Sequence, residues 1–336
     1  MTCIGVLVPV NTGSIPAPEA RPVGRAALAL AQEGIEVLFG DRIVDGRMSG
    51  LCPIPGGWKP ASDVPIQAVH DRYPSQLRSD HYARIRVGIG DIPVGNPPGI
   101  TELCRDKLAC QRWLEAGALE LPPVEDQPAT FQARLESWGA AFLKPRFGAL
   151  GTGVRRVDIH SDLPAQTEGL VPGRMEPSIL QRAVPPPSGL AGQCVRLLAQ
   201  RLPGGGWHLC EPVVRQSRTD AVVNAARGAE VGPGSDLLSP GTAKAVKDLA
   251  RAAARRISDH PMGDLAVELG VDMVIDRHGA AHLIELNSRP RGRLEVLAAA
   301  NPGRFGNAHV EACARPVRYL AHHTPQTTLE PGAPRR

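Results

Sequence analysis

The sequence predicts an α/β protein that turns α+β in its C-terminal part. Three observations carry this expectation. The chain opens strand–helix–strand: apolar CIGVLVPV (3–10), helical RPVGRAALALAQEG (21–34) closed by Gly34, then IEVLF (35–39), an order that builds a parallel sheet. Near the end, LAVELGVDMVIDRHGAAHLIELNS (265–288) reads as two strands about a short turn. Before that hairpin, GTAKAVKDLARAAARRIS (241–258) has the apolar spacing of an amphipathic helix.

The remaining elements follow in order. Pro and Gly are dense over 46–65, which reads as loop. IQAVHDRYP (66–74) and IPVGNPPG (92–99) can each add a strand to the first sheet, and the second ends in a Pro/Gly cluster that places a domain boundary near 100. TELCRDKLACQRWLEAG (101–117) reads as one helix, capped by Thr101 and stopped by Gly117. AAFLKPRFGALGTGVRRVDI (140–159) is strand, glycine loop, strand, and PSILQRAV (177–184) is a strand ahead of three prolines. QCVRLLAQRL and WHLCEPVVRQS, on either side of Pro203 and Gly204–Gly206, form a hairpin pattern. Residues 324–336 read as a flexible tail.

The bulk numbers narrow the class. A chain of 336 residues exceeds one ordinary core, so two or three domains are expected. Hydrophobic content of 42%, charged content of 21% and a net charge of +4 without basic runs suit a soluble globular protein and give no reason to expect nucleic acid. Seven cysteines without a Cys-x-x-Cys pair argue against a zinc site or disulfide framework and fit a reducing cytoplasm. The first apolar stretch is short and lacks a basic leader, and no stretch reaches the roughly 18 apolar residues of a membrane span.

Chemistry concentrates in the last hairpin. Leu269, Val271, Met273 and Ile275 alternate with Glu268, Gly270, Asp272, Val274 and Asp276, the period of a strand with one apolar face. On the next strand Ile284 and Leu286 share one face, while Glu285 and Asn287 share the other. A two-residue turn at His278–Gly279 sets Asp272 against Glu285 and Gly270 against Asn287. Opposed like charges are destabilising, so either one carboxyl is protonated or a cation holds the pair. Three hard oxygen donors beside an open position suit Mg²⁺, and Gly270 leaves room for a ligand. The plainer alternative is a solvated polar edge. His282 alternates away from this face.

A second signal lies in FLKPRFGALGTGV. Lys144 sits in an apolar strand ahead of Gly148, Gly151 and Gly153. Glycines at a strand end let backbone N–H groups wrap phosphate oxygens, and a lysine adds a point charge. A glycine-rich turn beside an exposed lysine is the alternative reading. The spacing matches neither the P-loop nor the dinucleotide fingerprint.

Together, a lysine on an early helix (Lys107), Lys144 before a glycine loop, and Asp272 followed thirteen residues later by Glu285-x-Asn287 resemble the ATP-grasp superfamily over roughly residues 95–300. The flavour is closest to the spore-coat-associated ATP-grasp family and the ribosomal-protein glutamate ligases. The resemblance implies a pre-ATP-grasp parallel-sheet domain (1–98) followed by a two-lobed ATP-grasp fold (99–323), with a small lobe over about 120–184 and a large lobe over about 185–323. It implies an ADP-forming carboxylate–amine ligase working through an acyl phosphate, with ATP and Mg²⁺ (or Mn²⁺) as cofactors. Its partners would be a small-molecule or peptide acid and an amine. It implies no nucleic-acid or membrane partner and is compatible with a homodimer.

At matching positions, Lys107, Lys144, Gly148, Gly151 and Gly153 would meet the phosphates. Gln181, Arg182 and Val184 would line the adenine hinge, and Asp272, Glu285 and Asn287 would hold the metal. Arg196, Arg215, Asn224 and Arg289 would serve the phosphates and the acceptor carboxylate. Two positions depart from the pattern. Cys194 stands where that branch carries an Asp, and Gly270 where D-alanine ligases carry a catalytic Arg. A phosphotransferase built on the same machinery, or a non-catalytic coat-type nucleotide binder, are the competing expectations.

Overall fold

In the computed structural model the chain divides into two compact units. One comprises Met1–Pro97, Leu202–Gly205 and Val310–Arg336, the other Pro98–Arg201 and Gly206–His309. Residues 2–9, 15–74, 79–148, 151–163, 177–223, 228–290 and 294–323 are described here. The expected flexible tail and Asn224 lie outside them.

The first unit is a six-stranded sheet in the order β4-β3-β2-β1-β5-β6. β1 (Thr2–Leu7), β2 (Ile35–Val44), β5 (Ala68–Asp71) and β6 (Val94–Gly95) run parallel, as the opening strand–helix–strand pattern requires. Helix α1 (Pro22–Gln32) makes the first crossover and ends at Gly34, whose φ of 79° only glycine adopts readily. Helix α2 (Ser79–Ile89) buries Ile85 and Ile89 against Leu7, Leu38 and Val69 of the sheet.

The stretch 46–65 is not loop. It forms β3 (Arg47–Ile54) and β4 (Gly57–Pro65), an antiparallel extension that makes the sheet mixed. Prolines hid the pairing from sequence reading. Pro60 and Pro65 sit on β4, the edge strand, where no second neighbour needs their missing N–H. Pro55 and Gly56, with Gly56 at φ 79°, make the turn.

Among the described residues the second unit holds two sheets. A four-stranded antiparallel sheet has the order β7-β10-β8-β9, from β7 (Val124–Glu125), β8 (Ala140–Pro145), β9 (Arg155–Asp158) and β10 (Ser178–Arg182). One face of it, Ala141, Leu143 and Leu180, packs with Phe131 and Leu135 of an intervening helix (Phe131–Trp138). The larger sheet has the order β14-β13-β11-β15-β16, with β12 beside β11. Its strands are β11 (Gly192–Arg201), β12 (Trp207–Leu209), β13 (Val213–Ser217), β14 (Glu230–Pro233), β15 (Glu268–Ile275) and β16 (Ala281–Asn287). Val195, Leu197, Ala199, Leu269, Val271, Met273 and Ile275 bury one face against Val246, Ala250, Ala253 and Ile257 of the helix Pro240–Ser258. The opposite face carries Arg196, Gln200, Glu268 and Asp272, with Leu198 and Val274 among them.

The expected helix over 101–117 is two helices, α3 (Pro98–Arg105) and α4 (Lys107–Glu115). Thr101 lies inside α3, not at its start. The break is at Asp106, which is extended (φ −85°, ψ 96°) and whose carboxylate accepts the N–H groups of Leu108 and Ala109, capping α4. Among the described residues no helix is long and apolar enough to cross a membrane.

Candidate nucleotide and metal site

The polar face of the larger sheet carries the hairpin chemistry. Asp272 pairs with Glu285 and Gly270 with Asn287, the register that the sequence implies. The turn differs, however. Asp276 closes a longer loop: its N–H bonds the Ala280 carbonyl, and its carboxylate accepts from the His278 and Ala280 N–H groups. A bulge between Asp272 and Met273 absorbs the change, since Asp272 faces Glu285 while Met273 faces Leu283. Ile284 is the extra residue. Leu283, rather than Ile284, therefore joins Leu286 in the core. The same shift brings His282 opposite Val274, onto the Asp272 face, where its Nε2 meets Asp276 Oδ2 at 3.0 Å. Gly270 does not leave open space. A Cβ there would lie 3.0 Å from Pro290 Cβ and 3.5 Å from Asn287 Cβ.

The opposed carboxylates are reconciled by a protein cation. Arg196, across from Asp272 on β11, donates from Nε to Asp272 Oδ1 at 2.6 Å and from Nη2 to Oδ2 at 2.5 Å. This bidentate pairing matches the planar fork to the carboxylate. The Asp272 charge holds the Arg196 guanidinium well above its ordinary pKa. Asn287 Nδ2 adds a bond to Asp272 Oδ2 at 2.7 Å and a longer one to Glu285 Oε1 at 3.3 Å. Burial, and then the Asp272 charge, push the Glu285 carboxyl up. At ~5 Å and an effective dielectric near 20, two like charges repel by about 3 kcal/mol, so this corner calls for positive charge.

The lysines supply more of it. Lys144 on β8 is buried, 8% exposed, with Nζ donating to Gln181 Oε1 at 2.5 Å and lying 5.8 Å from the Phe142 ring centroid. Burial lowers its pKa to about 8, opposed by the charges of Glu285 and Asp272. Lys107, the first residue of α4, donates from Nζ to the Gly148 carbonyl at 2.7 Å. Both lysines act electrostatically on Glu285, so they and the carboxylates share one locality. Gly151 and Gly153 have φ of 71° and 73°, in the left-handed region that glycine adopts readily.

Gln181 faces inward toward Lys144, also reaching Gln111 Oε1 from its Nε2 at 3.4 Å. Arg182 is exposed, and its N–H goes to the Pro123 carbonyl, while Ala183 N–H goes to Ala140. Val184 follows in a half-buried stretch. Arg215 on β13 lies opposite Cys194, one row along the polar face from Arg196. Burial pushes the Cys194 thiol up to about 11, so it brings no charge to that row. Arg289 sits two residues past the end of β16.

Three residues tie into this corner by contacts that the sequence does not display. Asp106 receives a bidentate ion pair from Arg146, Nε–Oδ1 at 2.8 Å and Nη2–Oδ2 at 2.6 Å, which holds its carboxyl below the ordinary range. Lys107 N–H bonds the Arg146 carbonyl at 3.3 Å, and Asp106 bridges Phe147. The root of the glycine loop is thereby fastened to the start of α4. Gln111 donates to Glu115 and to the Pro122 carbonyl. The available signal was an Asp two residues ahead of an apolar helical pair, which reads as a cap; nothing local pointed to Arg146 as its partner.

Residues 178–319 match the family model described as YheC/D like ATP-grasp. Over those residues the chain is similar to an ATP-grasp domain. Its fold is similar over nearly the whole chain to those of solved synthetases and ligases. D-cycloserine synthetase DcsG superposes with a TM-score of 0.59 at 17% identity, covering 95% of this chain and 98% of that one. D-alanyl-alanine synthetase A from Vibrio cholerae gives 0.55 at 15% identity, with 94% and 98% covered. A Chryseobacterium gregarium RiPP-associated ATP-grasp ligase, in complex with ADP and a leader and core peptide, gives 0.56 at 12% identity, with 93% and 96% covered. No curated relative matches the chain.

Proposed function

We propose that this protein is an ATP-dependent carboxylate–amine ligase, releasing ADP and phosphate, with a small-molecule or peptide acid and an amine as substrates. The observation that carries the reading is the gathering of Lys107, Lys144, Arg196, Asp272, Glu285 and Asn287 in one corner of the second unit. The donor set fits a hard dication: two opposed carboxylates and an amide, whose half-turn exchanges its N–H₂ for its oxygen. Asp272, Glu285 and Asn287 would hold Mg²⁺, which supplies charge neutralisation on the nucleotide phosphates when bound.

Lys144 and Lys107 would orient the phosphates, together with the loop that contains Gly148, Gly151 and Gly153. Gln181, Arg182 and Val184 would border the base. Arg196, Arg215, Arg289 and Asn224 would serve the acid. The γ-phosphoryl group passes to a substrate carboxylate oxygen and ADP leaves. The amine then attacks the carbonyl carbon, phosphate departs, and a C–N bond remains. Such transfer depends on alignment and positive charge rather than on a nucleophilic side chain. The similar structures named for amino-acid and peptide ligation support this substrate class.

The test is a screen of acids and amines for ADP release that requires both. AMP as the product would reject the reading. A non-catalytic nucleotide-binding role is the second reading. It is favoured by Gly270, which stands where D-alanine ligases carry an arginine and where a Cβ would lie 3.0 Å from Pro290 Cβ. ATP binding without turnover across the whole screen would select it.

A further inference from the structure

Both oxygens of Asp272 are committed. Arg196 Nε takes Oδ1, while Arg196 Nη2 and Asn287 Nδ2 share Oδ2. Among the described residues, Glu285 by contrast has one hydrogen bond, the 3.3 Å contact from Asn287. The pair that would serve a dication is thus lopsided, with one carboxylate already neutralised by a guanidinium and the other open. Asp272 cannot turn toward a dication and keep a bidentate bond to Arg196.

The register shows where a released guanidinium would act. Arg196 lies on the polar face, on the strand between Asp272 and β13. Arg215 is its diagonal neighbour on that face, about 7–8 Å away, and Cys194, opposite Arg215, borders both. A freed Arg196 beside Arg215 makes two fixed cations with no carboxylate between them, which is a site for an anion.

We propose that Arg196 is an exchange cation: it neutralises Asp272 in the nucleotide-free protein and is transferred to the anionic group of the acid substrate when Asp272 takes up a dication with the nucleotide. This rests on the metal-site reading above and adds a coupling that the reading does not require. One guanidinium serves two carboxylates in turn, so the corner never holds Asp272 and Glu285 uncompensated, and the acid's cation appears only once the nucleotide is loaded. The coupling is reciprocal: the acid, by holding Arg196 away, tightens the dication.

The test uses the full chain with Mn²⁺ as the probe, read by electron paramagnetic resonance in the absence of nucleotide. Arg196→Met removes the competitor and is expected to tighten Mn²⁺ at least tenfold, with Arg196→Lys in between. Unchanged or weaker Mn²⁺ binding in a folded Arg196→Met overturns the exchange. A second measurement needs no neutral variant. In the wild-type protein, the arginine Nε–H resonance that disappears in Arg196→Lys is expected to shift on addition of Mg²⁺·ADP. If Mg²⁺·ADP binds and that resonance stays in place, the exchange is wrong while the metal site stands. If neither Mn²⁺ nor Mg²⁺·ADP binds the wild type, the metal-site reading fails and the exchange falls with it.

Discussion

On β15, Leu269, Val271, Met273 and Ile275 point to the helix Pro240–Ser258 and are buried, whereas Asp272, between two of them, points the other way and is held by Arg196 and Asn287. The two faces of one sheet therefore obey different rules. On the apolar face each side chain has many interchangeable neighbours, and its contribution scales with the area it removes from water. On the polar face each group has one or two specific partners, and what matters is whether charge balances. The apolar face should tolerate conservative change in function but not in volume. The polar face should tolerate loss of charge in stability but not in chemistry.

The largest expected effect comes from the polar lining that faces this sheet. Lys144→Met keeps the stem and removes a buried cation. Turnover should fall about a thousandfold, roughly 4 kcal/mol of transition-state stabilisation, with the unfolding midpoint held or raised. Steady-state ADP release and thermal unfolding check both halves, and a large drop in midpoint would break the contrast. Met273→Ala on the apolar face should do the reverse. It should lose about 2–4 kcal/mol in denaturant titration, with kcat near wild type at a temperature where the protein is folded.

A smaller effect is expected at the Asp106–Arg146 clamp. Arg146→Met should raise KM for ATP about tenfold, equivalent to about 1.4 kcal/mol, and change kcat less. Arg146→Lys should recover part of this. Equal loss in kcat and KM would mean that the clamp does more than position Lys107 and the loop root.

The smallest concerns pH. The Lys144 pKa of about 8 lies below the ordinary 10.5 because burial disfavours the ammonium. The unfolded chain therefore binds more protons between those values, and the contribution of Lys144 to stability rises with pH across that window. Nucleotide affinity should move oppositely, falling a few-fold as pH rises through about 8. Lys144→Arg, which keeps its charge, should flatten that profile in calorimetric titrations.

Much of the site was legible because strand periodicity is local. The alternation from Glu268 to Asp276 and the Glu285-x-Asn287 step fix which residues share a face wherever the strands pair. The register at Asp272 and Glu285 agrees with the sequence reading even though its supposed turn does not exist. A bulge at Ile284 offset the longer loop. The longer loop and the bulge cancel at the site and leave their trace at Leu283 and His282. The hairpin of β3 and β4 was missed for a related reason: prolines penalise a central strand, and only the finished sheet shows that β4 is an edge.

By itself the sequence determined the α/β start, the polar and apolar faces of the last hairpin, and the residue types able to meet phosphate and metal, because these depend on spacing within a few residues. Tertiary structure alone decided that Arg196, 76 residues before Asp272, is its counter-ion, that Asp106 breaks a helix to receive Arg146 across 40 residues, and that Pro290 fills the space beside Gly270. Charge pairing and close packing act through space. A one-dimensional pattern can say that a carboxylate needs a partner, but only the folded chain selects which cation reaches it.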